Sequence, residues 1–339
     1  MREQITGATD SPPRGHVEPG PGRGGRWRTV LAWTITGSWG AWAAVRLTGA
    51  DRLSGVRLPV VPLLSFTPYV AAAAPIPIIG AALLRRRRAA AVAGIVAAGL
   101  LAAVLPRAFA SGQPAVKGPP LRVLSTNLQF SLADPAAVVD LARRTGADVL
   151  SVQELTPEGV ELLDRAGLGG LLPYQVLDPR EGPAGSGLYA RHPLRALPPV
   201  PGTALAMPQA ELILTDRVRV EVTAVHPLPP LSAGNSRDWR HGLAVLPAAD
   251  PSGPARILVG DYNATFDHAR FRELLGRGYA DAADRVGKGL VPTWGVRQQA
   301  PPLTIDHVLV DERVAVRRVE VYALPGSDHR ALFAELRLP

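Results

Sequence analysis

Apolar and polar positions divide the 339-residue chain into two unlike parts. Up to about residue 110 the apolar residues come in long, charge-free runs. Residues 29–45 read "TVLAWTITGSWGAWAAV", 58–84 "LPVVPLLSFTPYVAAAAPIPIIGAALL" and 89–105 "AAAVAGIVAAGLLAAVL". From residue 121 onward the runs shorten and alternate with amphipathic stretches. "LRVLSTNL" and "DVLSVQEL" predict buried strands, and "DPAAVVDLARRTGA" between them predicts a helix. Asp134 stands at its N-cap, Pro135 in its first turn, and Val138, Leu141 and Ala142 repeat at helical spacing. Another helix is expected near 157–168. Strands then follow in "YQVLD", "GSGLYARHPL", "AELILTD" and "VRVEVTAVHP". A helix near 236–247 precedes the strand "ARILVGDYN", and "DHARFRELLGRG" forms the next helix. "LTIDHVLVD", "VAVRRVEVYAL" and "RALFAELRL" complete the strands. Hairpin-like strand successions interleaved with helices predict mixed sheets stacked face to face with helices outside.

The three long runs have the composition of membrane helices, which need roughly 20 mostly apolar residues with about 17 as the lower edge. A signal peptide accounts for the first run alone, and buried soluble helices are the plainer alternative. The expected organisation is a basic tail at 1–28, three transmembrane helices within 29–110, a Pro/Gly linker at 111–120 ("SGQPAVKGPP") and a soluble domain at 121–339. Arginine sets the orientation. Arg2, Arg14, Arg23, Arg26 and Arg28 precede the first span, and Arg85-Arg86-Arg87-Arg88 separate the second from the third. Both segments belong in the cytoplasm by the positive-inside tendency. Three crossings then put the soluble domain on the far side, so a multi-pass cell-membrane protein with an extracytoplasmic domain is expected.

Charge sharpens this division. The net +8 resides in the first third, where residues 1–119 carry 14 basic and 4 acidic side chains. The remainder has 23 basic against 25 acidic, which gives no support to a broad phosphate-backbone footprint. Its aromatic residues form no basic, stacking stripe. Cysteine is absent, which excludes disulfides, thiolate metal sites and cysteine nucleophiles.

Candidate chemistry lies where apolar runs meet polar residues. Asn127 follows "RVLST", Glu154 follows "VLSVQ", His226 follows "VEVTAV", Asp261 and Asn263 follow "RILVG", and Asp306 with His307 borders "LTI". These are read as carboxyl ends of strands. Asp328-His329 after a Pro-Gly-Ser turn adds a sixth cluster. Each has an ordinary reading alone: Asn127 as a turn former, His226 as an edge histidine, Asp328-His329 as a solvated turn. Glu154 and Asp261 are harder to dismiss, because a carboxylate behind an apolar run risks burial without a partner. His307 reads as an outward-facing strand residue, and His192 and His268 as surface or cap residues. Together the carboxylates, amides and imidazoles suit a hard divalent cation, Mg²⁺ or Mn²⁺. Metal-assisted hydrolysis of a phosphate ester or anhydride is the chemistry such a set performs.

"STNLQF", "SVQEL", "GSGLYARHPL", "VTAVHP", "GDYNATFDH", "TIDHVLV" and "GSDHRAL" follow one another in the order of the endonuclease/exonuclease/phosphatase superfamily, which residues 121–339 resemble. The resemblance implies a four-layer α/β sandwich, two central mixed β-sheets flanked by helices. It implies Glu154 as principal metal ligand, helped by Asn127, with Asp328 as a metal or second-site ligand. Asp306 would orient His329 as general base, Asp261 would position water or help bind metal, Asn263 would donate to phosphoryl oxygens, and His226 would contact the phosphate. Leu128-Gln129 stands where many relatives carry a second Asn. Three apolar spans before such a domain also resemble bacterial membrane proteins associated with teicoplanin resistance. That likeness implies a lipid bilayer as partner and a lipid-linked phosphate or polyprenyl pyrophosphate of cell-wall synthesis as substrate. A tethered nuclease is the alternative and nucleic acid the less favoured ligand; an inactive binding domain is a third reading. No protein partner can be inferred.

Overall fold

The computed structural model describes residues 23–53, 60–295 and 301–339. Residues 1–22 of the basic tail, with Arg2 and Arg14, lie outside these.

The apolar first third is helical. Helix α1 (Arg23–Thr48) leads through a 3₁₀ turn (Ala50–Arg52) to three short helices, α2 (Val60–Leu64), α3 (Thr67–Ala72) and α4 (Pro75–Leu83). Helix α5 (Arg87–Val104) then runs into a second 3₁₀ turn, Leu105–Ala108. The expected single span over 58–84 is therefore broken. Pro68 and Pro75 open α3 and α4, where a missing N–H costs nothing, and they end the preceding helices by the same property. Among the described residues one stretch, Arg87–Ala108, is long and apolar enough to cross a membrane, and Thr67–Leu83 is a shorter apolar helical stretch. Three transmembrane helices are thus not borne out by length and composition. Helix α5 packs against both α1 and α4.

The rest forms two six-stranded sheets. One has the order β11-β12-β1-β2-β4-β3, the other β5-β6-β7-β8-β10-β9. Their strands are β1 (Pro120–Asn127), β2 (Val149–Gln153), β3 (Tyr174–Asp178), β4 (Ser186–Ala190), β5 (Leu194–Leu197), β6 (Gln209–Ile213), β7 (Arg219–Val225), β8 (Ala255–Asp261), β9 (Tyr279–Asp281), β10 (Asp306–Asp311), β11 (Ala315–Ala323) and β12 (Arg330–Arg337). Helices α6 (Pro135–Thr145), α7 (Pro157–Arg165) and α8 (Leu168–Leu171) lie with the first sheet. Helices α9 (Ala233–Ala244), α10 (Ala269–Leu275) and α11 (Ala282–Arg285) lie with the second. The expected capping of α6 holds: Asp134 accepts a hydrogen bond from the Ala136 amide.

Alternation along each strand builds three apolar layers. Val123, Val149, Leu188, Val222, Ile257, Val308 and Leu332 fill the space between the sheets. Leu124, Leu150, Val152 and Phe333 face α6 and α7. Leu258, Leu309 and Tyr262 face Trp239 of α9 and Phe271 of α10, and Val61 of α2 joins this third layer. The run "GSGLYARHPL" is not one strand: β4 belongs to the first sheet and β5 to the second, with partly exposed His192 in the crossover. Residues 111–119, expected as a linker, lie along the domain. The Ser111 amide donates to Arg285 O at 3.1 Å, and Gln113 Oε1 accepts from the Val316 amide at 2.9 Å.

Two central pairs position the site. Strand β1 runs parallel to β2, and β7 parallel to β8, so four carboxyl ends share one edge of the sandwich. Strands β10 and β12 are antiparallel to β8 and β1, so their amino ends come to the same edge. Asp306 therefore opens β10, directly opposite Asp261, and does not end a strand as the sequence suggested.

Candidate active site

At this edge the backbone is bent to bring side chains together. Glu154, just beyond β2, has φ 57°, and Gln129, Phe130 and Ser131 after β1 have φ 48°, 57° and 62°. Non-glycine residues held there cost of order 1–3 kcal/mol each and need support. They have it: the Phe130 amide donates to Glu154 Oε2 at 3.0 Å, and Ser131 Oγ donates to Glu154 O at 3.3 Å. Asn263 (φ 47°) makes the corresponding bend after β8, where an Asn is tolerated. Gly260, one residue before Asp261, has φ 153°. A Cβ there would lie 2.1 Å from Val225 O, so only glycine lets β8 approach β7.

Six of the expected residues converge. Asn127 Nδ2 donates to Glu154 Oε1 at 3.0 Å and lies 3.2 Å from Asp261 Oδ2. His226 Nε2 stands 3.9 Å from Glu154 Oε1 and 3.8 Å from Asp261 Oδ2. His329 Nδ1 is 2.9 Å from Asp306 Oδ2, and its Nε2 is 3.6 Å from Asp261 Oδ2. Asp306, His329 and Asp261 thus form a file, its imidazole between two carboxylates. Asn263 lies beside the group: its amide donates to Asp261 Oδ1 at 2.8 Å, while its side chain donates to Pro227 O. Asp328 is at the rim, where its Oδ2 accepts from Trp294 Nε1 at 2.9 Å.

Burial dominates the electrostatics. It raises the Glu154 carboxyl above its ordinary value against the Asn127 and Phe130 donors. It pushes Asp261 up to about 7, with Asp306 and Glu154 adding to the rise and His329 opposing it. His226 falls to about 3 because burial and the neighbouring His329 both disfavour its cation. Burial also pulls His329 down, but Asp306 and Asp261 outweigh it and lift the imidazole to about 10. The two carboxylates thus favour the protonated form of the imidazole between them.

The donor set fits a divalent cation. Among the described residues the ion pairs of Glu154, Asp261 and Asp306 are with His226 and His329 alone, without a lysine or arginine. Asp261, Asp306 and His329 each offer a ligand atom within 4.8 Å of one another. Buried oxygens without a guanidinium are what a hard cation requires. Asn127 presents its amino group to the carboxylates, and its Oδ1 accepts from the Gln129 amide.

Two readings of single histidines are overturned. His307 does not face out: it is buried, its Nδ1 2.7 Å from Asp281 Oδ2 and its Nε2 2.9 Å from Ala264 O. An inner position on a central strand allows no solvated imidazole, so a carboxylate partner replaces water. His268 does precede α10, but its ring is buried between the Thr265 amide and Val61 O and does not cap the helix.

Several supporting residues carried little signal in the sequence. Gln129 Oε1 accepts from the Asp328 amide at 2.8 Å, tying the first motif to the last. Ser327 Oγ donates to Asn127 O. Thr293 Oγ1 accepts from the Asp306 amide at 3.0 Å, and Trp294 holds Asp328. The Leu128-Gln129 departure was a visible clue to Gln129; nothing local marked Thr293 or Trp294.

Two stacked mixed sheets gather acids, amides and histidines at one shared edge, the arrangement of a candidate hydrolytic site. The sequence agrees: residues 124–329 match the model of the Endonuclease/Exonuclease/phosphatase family, and the chain belongs to that family. The family comprises phosphoesterases and nucleases, generally metal-dependent. No curated protein matches the chain. Among solved structures, a Beutenbergia cavernae endonuclease/exonuclease/phosphatase is 21% identical with TM-score 0.53, over 65% of this chain and 72% of that one. D. rerio TDP2, complexed with single strand DNA product, is 18% identical with TM-score 0.51, over 64% of this chain and 99% of that one. A functionally unknown conserved protein from Enterococcus faecalis is 16% identical with TM-score 0.51, over 65% and 100%. At these identities the likeness is one of fold.

Proposed function

We propose that the chain is a membrane-anchored, divalent-metal-dependent phosphohydrolase. Its catalytic domain faces away from the cytoplasm and removes phosphate from a lipid-linked phosphate or pyrophosphate. The observation that carries the hydrolytic part is the Asp306–His329–Asp261 file beside Glu154, buried without a lysine or arginine partner. A bound Mg²⁺ or Mn²⁺, held by Glu154 with Asp261 and Asp328 nearby, would neutralise phosphoryl charge and lower the proton affinity of His329. Asp306 fixes the imidazole through Nδ1, leaving Nε2 to take a proton from the attacking water. Neutral His226 and the Asn263 amide group stand ready as donors to the phosphoryl oxygens.

Two features support the membrane part. The arginine-rich end of the helical region, where Arg86 donates to Gly25 O, is opposite the end where Arg46 and Arg107 meet the catalytic domain. At about 1.5 Å per residue the 22 residues of Arg87–Ala108, the stretch apolar enough to cross, span roughly 33 Å against a hydrocarbon core of about 30 Å. Ile79, Leu83, Ile95 and Leu105 are exposed along these helices, an apolar surface that water does not favour.

The test is turnover by the purified full-length protein with Mg²⁺ or Mn²⁺ on polyprenyl pyrophosphate, plasmid DNA and a generic phosphodiester. Phosphate release from the lipid, abolished by EDTA and restored by metal, is expected. Rapid DNA nicking without phosphate release from the lipid would make the protein a tethered nuclease.

A further inference from the structure

Where the helices meet the catalytic domain, a cavity of about 290 Å³ opens. Pro68, Tyr69 and Ala72 line one wall; Phe266, Leu290 and Leu303 are on the others. This is near the lower end of ligand pockets, which span about 300–1,000 Å³. We infer that the cavity receives the first segment of the substrate's hydrocarbon chain, next to its phosphate. This inference rests on the lipid-phosphate reading above and specifies how that substrate is held.

Position supplies the first argument. Pro292, Leu303 and Thr304 also line the cavity. Thr293, next to Pro292, holds the Asp306 amide, and Trp294 holds Asp328 while pairing with Leu303. Residues 292–294 and the paired residues 303–304 thus connect the wall of the cavity to the rim of the catalytic site. On the other side, Tyr69 is exposed and belongs to the apolar helical stretch Thr67–Leu83, so the wall continues onto the surface assigned to the bilayer.

Charge supplies the second argument and separates a hydrocarbon occupant from an anionic head group. Among the described residues, Arg107 is the one cationic residue lining the cavity. Its guanidinium donates to Asp267 Oδ2 at 2.8 Å, to Asp267 Oδ1 at 2.6 Å and to Ala103 O, and it lies over the Phe266 ring at 5.3 Å. Asp267 is fully buried and is bonded to Arg46 as well. Arg107 is therefore committed, and among the described residues lining the cavity a phosphate would find no free counter-charge. The Tyr69 hydroxyl is likewise engaged with Pro302 O at 2.7 Å, and the Thr304 hydroxyl with Val291 O at 3.0 Å. What remains is mostly apolar wall, suited to methylene and methyl groups.

The experiment compares wild type and Ala72→Phe on farnesyl pyrophosphate and on water-soluble p-nitrophenyl phosphate. Both use the full chain in detergent with Mg²⁺. Ala72 is exposed at the cavity edge, so the larger side chain occupies space without displacing core. The expected result is a KM for farnesyl pyrophosphate raised roughly tenfold, with turnover of the soluble ester unchanged. A second measurement needs no variant: wild type is labelled with a benzophenone-bearing farnesyl pyrophosphate analogue. Label on Ser65–Ala72 or Phe266, displaced by unmodified farnesyl pyrophosphate, is expected. Lipid hydrolysis with an unchanged KM in Ala72→Phe, or label spread over Ile79 and Ile95 and not displaced, overturns the chain site while leaving the lipid phosphatase standing. Soluble turnover with no hydrolysis of the lipid by wild type overturns both.

Discussion

Two buried aspartates, six residues apart, are put to opposite uses. Asp267 sits at the junction with the helices, and Asp261 at the catalytic edge. Burial alone would raise both. At Asp267 the guanidinium groups of Arg107 and Arg46 outweigh it and hold the carboxyl below its ordinary range. At Asp261 no arginine answers, and the carboxyl rises to about 7. The first is a fastener, whose charge is satisfied from within the chain. The second is held in an arrangement that the chain alone leaves incompletely neutralised, the usual signature of a group kept for chemistry. A buried acid therefore says little by itself; its partners decide what it is for.

The comparison breaks most readily at the catalytic edge. Asp261→Asn and His329→Ala should each lower kcat by roughly 10²–10⁴-fold, read by phosphate release, with the far-ultraviolet circular dichroism unchanged. Retained turnover in either would remove the chemical half of the contrast. Asp267→Ala should do the reverse. It leaves Arg46 and Arg107 buried without their carboxylate and should cost about 3–5 kcal/mol of stability, measured by denaturant unfolding in detergent. The folded fraction should keep its turnover of a soluble ester. An Asp267→Ala protein as stable as wild type would show that the junction is not fastened there.

A third variant asks whether a histidine can act as a fastener too. His307→Leu leaves Asp281 buried without its partner and should cost about 3 kcal/mol. The effect should depend on pH. Burial lowers the proton affinity of His307, but Asp281, Ala264 O and Asp306 outweigh it, so the folded value lies above 6.5. A raised folded value means the contribution is full below the unfolded value of about 6.5 and fades as pH climbs through the folded one. The surrounding Tyr262, Phe266 and Phe271 rings add no competing charge, and Asp284 is a third acid, beside Asp281 and Asp306, that senses the imidazole. A stability difference that grows with rising pH would contradict this account. The smallest effect belongs to Gln129→Ala, which frees the Asp328 amide. It should cost about 0.5–1.5 kcal/mol and leave lipid KM within a few-fold of wild type.

Local pattern announced Asn127, Glu154, His226, Asp261 and Asp306 because each borders an apolar run, where a polar group needs a reason, while His329 stood out as an imidazole beside an acid after a turn. The strands were legible for the same cause: alternation survives burial. What pattern could not give was direction. Asp306 was read as ending a strand, yet it begins one, since an antiparallel neighbour brings its amino end to the same edge. His307 and His268 were misread because their partners, Asp281 and Val61 O, lie 26 and 207 residues away. The helical third misled differently. Apolar content over 58–84 is high enough for a span, but the prolines divide it, and composition alone does not weigh where each N–H is missing.

One long-distance pairing has a consequence for how the molecule is made. Strand β1 lies between β2 and β12, and Ser327 reaches back across 200 residues to hold the Asn127 carbonyl. During synthesis β1 emerges early and waits with one flank open until its distant neighbour arrives, so loop-closure entropy is met late and assembly is slow. No partially organised intermediate lacking β12 can hold His329 against Asp261. The candidate site is then completed only once β12 has paired with β1, and until then the unprotected flank of β1 is where a chaperone or an aggregating sister chain would take hold.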